Sequence, residues 1–218
     1  MWLQRYINLP KRLIVPATIV LIAGCASTGS EVADRRDPDA GVVVAGEEIL
    51  PEISPQAQTL FGQAVAVMAT GDFLDAELYF KEFLLRYPGY PGAHVNLAII
   101  HSQNGNDQAA QDSVDRALAL DPAHAAALNQ QGMLLRRNGK FLEAEAAYLK
   151  AVTVSPEYAL AHYNLGVLNE LYLQRLEAAL QNFETYQSLV GEDKQVAKWI
   201  KDLTRRVAAN QRTANVAN

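Results

Sequence analysis

The 218-residue chain holds one cysteine, Cys25, and four scattered histidines. One thiol closes no internal disulfide, and these residues lack the spacing of a structural zinc site, so neither kind of staple holds the fold. No block of about five or more like charges occurs. With 19 basic against 24 acidic residues and a formal charge of −5, the chain is not expected to bind nucleic acid. No apolar run reaches the roughly 20 residues that cross a bilayer. What the chain does have is apolar material, half of its residues, enough for the core of one or two ordinary domains.

The first 24 residues have the layout of a secretory signal: Arg5, Lys11 and Arg12, then an eleven-residue apolar stretch from Leu13 to Ala23. Ile22-Ala23-Gly24-Cys25 follows and resembles a bacterial lipobox, which implies cleavage before Cys25 and a lipid on its thiol. Buried acyl chains contribute about 0.8 kcal/mol per methylene to anchoring. An uncleaved anchor with a chance cysteine is the alternative. Ala26-Ser27-Thr28, with no Asp after the cysteine, resembles lipoproteins sent to the outer membrane and facing the periplasm. Removing residues 1–24 takes away three basic groups and no acid, leaving 16 basic against 24 acidic residues and a formal charge of −8. Residues 25–53 are polar with one short apolar run, Val42 to Ala45, and read as a lipidated flexible tether. Such a tether spans about 30 Å root-mean-square. Val42-Val43-Val44 is alternatively a short strand that pairs with a partner.

A period of 34 residues runs through the remainder. Pro88, Pro122 and Pro156 share it, as do Gly71, Gly105 and Gly139. Ala76, Ala110, Ala144 and Ala178 form a third column, and the small residues Ala64, Ala98, Gly132 and Gly166 a fourth. The small residues let two helices approach closely. The glycines close the first helix of each unit in a left-handed conformation, and the prolines stop the second. Phe80, Val114 and Tyr148 lie four residues after the alanine column and fill the space between helices. In the fourth unit Leu173 stands in the glycine column and Phe183 falls one place late, so one residue is inserted within Tyr172-Leu173-Gln174-Arg175. Ala179, Phe183 and Tyr186 then take the small, aromatic and core positions.

These columns resemble the tetratricopeptide repeat (TPR), a helix-turn-helix unit of this length, over about residues 57–190. The resemblance implies an all-α, right-handed α-solenoid of about four TPR helix pairs. Residues 192–207 form an amphipathic helix with Val196, Trp199, Ile200, Leu203 and Val207 on one face, suited to covering the last repeat. The folded region therefore covers 54–207. Trp199 reads as a capping anchor, or alternatively as a partner-binding aromatic. Residues 208–218 are polar and read as a disordered tail.

No catalytic constellation emerges, and the expectation is a protein that is not an enzyme and needs no cofactor or metal. His94 and His101 lie seven apart on one helix and His162 repeats the His94 position, which suits packed imidazoles better than metal ligands; His124 falls in a linker after Pro122. No Ser-His-acid set, no Gly-rich phosphate loop after a strand and no carboxylate pair for acid-base work is suggested.

The stack of first helices implies a concave groove. By repeat register its residues are Phe61, Val65 and Met68, then Val95, Asn96 and Ile99, then Asn129, Gln130, Met133, Arg136 and Arg137, and finally Tyr163, Asn164, Val167 and Glu170. Asn96, Gln130 and Asn164 share one column, and an amide both donates to and accepts from an extended peptide backbone. The same amides can instead bond within the helix stack. Arg136 and Arg137 suit a carboxylate. Phe61 and Val65 stand where chaperone-tail-binding TPR domains have polar clamp residues, which argues against that clamp.

The combination reads as a membrane-anchored scaffold that binds a protein or extended peptide, of undetermined oligomeric state. Alternatives are a factor that escorts a secretin or pilus subunit, like the repeat-containing pilotins, and a recruiter of cell-wall enzymes. Tyr87-Pro88-Gly89-Tyr90-Pro91, the segment Asn164 to Leu168 followed by Leu171-Tyr172-Leu173, and Gln195 to Ile200 resemble small repeat lipoproteins beside ExbB, ExbD and TonB-type energy transducers. That resemblance implies support of a force-transducing envelope system.

Overall fold

The computed structural model describes residues 54–216; the signal, Cys25 and the tether lie outside the described residues. Nine α-helices and no strand are present among the described residues: α1 (Pro55–Thr70), α2 (Phe73–Arg86), α3 (Pro91–Gln103), α4 (Asp107–Leu120), α5 (Ala125–Arg137), α6 (Phe141–Val154), α7 (Ala159–Leu171), α8 (Leu176–Val190) and α9 (Lys194–Val216). They form four antiparallel pairs, α1/α2 to α7/α8, with α9 packed on α8. First helices of neighbouring units touch, α3 with α5 and α5 with α7, while second helices of neighbouring units make no comparable contact. The stack therefore bends toward its first helices.

The repeat columns do the work their chemistry suggests. Gly71, Gly105 and Gly139 have φ of +86°, +74° and +75°, so the turns after α1, α3 and α5 need residues without a Cβ penalty. The second helices α2, α4 and α6 stop two residues before a proline each time. Asp72 and Asn106 cap α2 and α4 by accepting the N–H of Asp75 and Ala109, both at 3.1 Å. Ala76, Ala110, Ala144, Phe80, Val114 and Tyr148 are fully buried. A Cβ on Gly132 would lie 2.5 Å from the Tyr148 ring, and one on Gly166 would lie 2.7 Å from the Phe183 ring. In the third and fourth units the absent side chain is what lets the aromatic residue of the second helix press against the first.

The fourth unit carries the inserted residue. Gln174, not Leu173, takes the left-handed position, with φ of +54°. The amide of Arg175 then reaches back to the carbonyl of Asn169, six residues away, where the equivalent bond in the third unit, Lys140 to Leu135, spans five. Ala179 and Phe183 are fully buried and Tyr186 packs beside them; Ala178 is only half-buried, so the alanine column continues at 179.

The last helix corrects the expected boundary. It continues past Val207 to Val216, through residues 208–216 that were expected to be a disordered tail. That segment contains three alanines and neither Gly nor Pro, so nothing in it breaks a helix. The hydroxyl of Thr213 bonds the carbonyl of Ala209 at 2.7 Å within it. Asp193 starts the helix by accepting the N–H groups of Gln195 and Val196 at 2.8 and 3.2 Å. Val196, Leu203 and Val207 are buried against Ala179 and Phe183, closing the core of the final repeat.

Candidate functional site

The face shared by α1, α3, α5 and α7 is the inner side of the bend, and the structure sorts the expected groove residues into two groups. One is structural. The ring of Phe61 sits 5.7, 5.6 and 5.5 Å from those of Phe80, Phe83 and Tyr90, inside the core of the first unit rather than in the groove. Met68 belongs to that same core, and Val95 is buried with Ala117 and Ala127. Tyr163 packs against Phe183, Tyr186 and Trp199 at 6.0, 5.3 and 6.1 Å. Trp199 also lies 5.5 Å from Phe183, as a capping anchor should.

The amides belong largely to this group as well. Asn129, Gln130 and Asn164 are buried. Asn164 Nδ2 donates to Asn129 Oδ1 at 2.8 Å, tying α7 to α5. Asn129 Nδ2 in turn approaches Met133 Sδ at 3.8 Å, a weak bond. Of the expected column only Asn96 remains half-buried and accessible. A one-residue offset between Asn129 and Asn164 within their repeats hid the pairing, because a search at the 34-residue period pairs Asn164 with Gln130 instead.

The two arginines separate. Arg137 forms an ion pair with Asp107 Oδ1 at 2.8 Å and donates to the carbonyl of Ser102 at 3.2 Å, stapling the third unit to the second, and so is not a free anion contact. Arg136 lies with its guanidinium 5.9 Å from the centre of the Tyr172 ring and makes no ion pair among the described residues. Tyr172 is itself stacked 4.6 Å from Phe141, so the inserted turn of the fourth unit forms a platform for that guanidinium. Glu170 is occupied by Arg206 of α9 at 2.7 Å.

The second group is open. Val65, Ile99, Met133 and Val167 fall at 34-residue intervals on the four first helices, and none is fully buried. Val65 is 39% exposed, and the bases of Ile99, Met133 and Val167 rest on the cores beneath them. These four side chains make an apolar row along the inner face. At its far end Val167, Glu170, Leu171, Phe183 and Trp199 line a hollow of about 180 Å³, about the size of one large apolar side chain. The hollow was not legible in the sequence, because it depends on where α9 docks.

The histidines are part of the packing. His94 is buried on α3, and burial first and the Arg116 charge second hold its imidazole below the ordinary value of 6.5. His162 Nε2 lies 2.9 Å from the carbonyl of Pro156 and Nδ1 lies 3.4 Å from Asn182 Oδ1. His101 Nδ1 is 3.9 Å from Glu77. His124 lies in the linker, as expected, and from there caps α5, its Nδ1 accepting the Ala127 N–H at 3.3 Å. No group of three or more His, Cys, Asp or Glu side chains suited to a metal occurs among the described residues. No described helix is long and apolar enough to cross a membrane.

Two family models match the chain, a tetratricopeptide repeat over residues 67–132 and a TPR repeat over residues 132–171. Among solved structures, Pseudomonas aeruginosa pilF is similar at 24% identity and a TM-score of 0.62, covering 70% of this chain and 69% of that one. MamA from Desulfovibrio magneticus RS-1 is similar at 20% identity and 0.56, covering 75% and 92%. The first TPR of Spaghetti (RPAP3), bound to the HSP90 peptide SRMEEVD, is similar at 19% and 0.50, covering 54% and 95%. The fold is the all-α helical repeat of tetratricopeptide proteins, consistent with a scaffold that binds other proteins.

Proposed function

We propose that this protein is a scaffold of the bacterial cell envelope, held to the membrane by lipid on Cys25 and probing the periplasm with its TPR groove. The observation that carries the binding half is the row Val65, Ile99, Met133 and Val167, an apolar track at 34-residue intervals along the inner face. A partner segment lies along that row, places one apolar side chain in the hollow beside Trp199, and offers a carboxylate to Arg136. Asn96 bonds the segment's backbone. The anchoring half rests on the lipobox-like run ending at Cys25. The resemblance of three segments to lipoproteins beside ExbB, ExbD and TonB-type transducers favours a partner in such a force-transducing system.

The experiment is capture of crosslinked partners from solubilised membranes by wild type and by Ile99→Glu/Met133→Glu, with circular dichroism to confirm the fold. Loss of an envelope protein from the variant supports the reading; identical partner lists overturn the groove assignment. Separately, Cys25→Ala must abolish acylation and release the protein from membranes or leave an unprocessed precursor. Normal acylation of that variant rules out the lipobox.

A further inference from the structure

The outer face of α9 is a strongly basic surface that the groove does not use. Lys194, Lys198, Lys201, Arg205 and Arg212 recur at spacings of four, three, four and seven, so they lie along one line of the helix. All five are exposed. Residues 194 to 212 of a helix rise about 27 Å. The line is opposite the Val196, Leu203 and Val207 face that packs on α8, so it points away from the repeats. Lys194, Lys198 and Lys201 form no ion pair among the described residues, while Arg205 is paired with Asp202.

The rest of the folded chain has the opposite sign. Residues 54–193 carry 8 basic and 16 acidic groups, whereas α9 carries 6 basic groups and one acid, Asp202. A molecule polarised in this way approaches an anionic plane with α9 foremost and its acidic body turned away.

We propose that this line docks on an anionic phospholipid surface and orients the repeats relative to it. An acidic protein is the less suitable occupant. Protein interfaces take their affinity from a buried core of large side chains, and the side chains bordering this line are small or polar, among them Ala197, Asp202, Thr204, Ala208 and Ala209. Lysine ammonium groups are mobile point charges, suited to a dense array of phosphates rather than to one fixed carboxylate geometry. A shallow recess of about 240 Å³ between Lys198, Lys201, Asp202 and Arg205 admits a phosphate headgroup. Each basic residue at such a surface contributes about a fivefold gain in partitioning. The proposal goes beyond the groove reading and does not depend on acylation of Cys25.

The test uses the mature chain without its lipid, Cys25→Ala and lacking residues 1–24, so that neither an acyl group nor the basic, apolar signal adds membrane affinity of its own. Sedimentation with vesicles of phosphatidylglycerol and phosphatidylethanolamine is compared with vesicles of phosphatidylcholine alone. The expected result is preferential partitioning to the anionic vesicles that weakens with salt. It falls about a hundredfold in Lys194→Gln/Lys198→Gln/Lys201→Gln, at the fivefold per charge given above, and is kept when the three lysines become arginines. None of the three lysines supports the core, and circular dichroism verifies the fold. Equal partitioning of the glutamine variant overturns the proposal. So does lysine-dependent binding of a polyglutamate peptide or an oligonucleotide without partitioning to anionic vesicles.

Discussion

Asn164 on α7 and Asn129 on α5 share a hydrogen bond of 2.8 Å in the interior of the stack, one amide from each of two adjacent repeats. Both side chains are buried, so removing either partner strands a polar group away from water. Asn129→Ala and Asn164→Ala should each cost about 1–3 kcal/mol, and the double variant should lose less than the sum of the two. Urea unfolding of the four proteins measures the coupling. Strict additivity would mean that the bond contributes nothing specific to the contact between repeats.

Gly132→Ala sets two effects against each other. Alanine favours a helix over glycine by about 1 kcal/mol. The new Cβ, however, would fall 2.5 Å from a Tyr148 ring that has no exposed surface and no room to move. Overpacking of this kind costs about 1–3 kcal/mol, so the net change should be destabilising. Gly62 has open space where its Cβ would lie, and Gly62→Ala should stabilise instead. Thermal unfolding of the pair reads the difference in sign.

Much of the fold was legible because each column enforces one steric event: a glycine at positive φ, a proline past a helix end, a small residue under a ring. The inserted residue of the fourth unit was legible too, because Phe183 falls one place late against the period. The site was less so. Register places Phe61, Val65, Tyr163 and Val167 on the same helix faces, yet Phe61 and Tyr163 are large enough to turn back into aromatic clusters while the two valines stay at the surface. Likewise, adjacent Arg136 and Arg137 look interchangeable in sequence, but only Arg137 meets Asp107 across the repeat boundary.

Stability should depend on pH through His94. Its folded pKa lies below the unfolded value of 6.5, so between the two the unfolded chain binds more protons. The stability is fully present above about pH 6.5 and is lost as pH falls toward the folded pKa. In His94→Leu the stability difference between pH 7.5 and 5 should shrink. An unchanged difference would show that other groups set the slope.

The left-handed turn at Gln174 is the one place among the described residues where a side chain occupies positive φ. Its Nε2 bonds the carbonyl of Glu170 at 3.1 Å, which offsets part of the strain. A β-branched residue is poorly tolerated there, and Gln174→Val should cost about 1–2 kcal/mol. Because this turn carries the Tyr172 platform under Arg136, the same variant should weaken partner binding as well. Unfolding and capture of the partner, measured on one preparation, check both.

The most direct measurement is site-specific photocrosslinking in cells, with a photoreactive residue at Met133 or Val167 on the inner face and, as controls, at Leu142 or Leu78 on the outer helices, where both leucines are exposed. A groove that holds an envelope protein predicts the same crosslinked partner from both inner positions and none of it from the outer ones. Crosslinks to that partner from Leu142 and Leu78 alone would contradict the groove as the working surface.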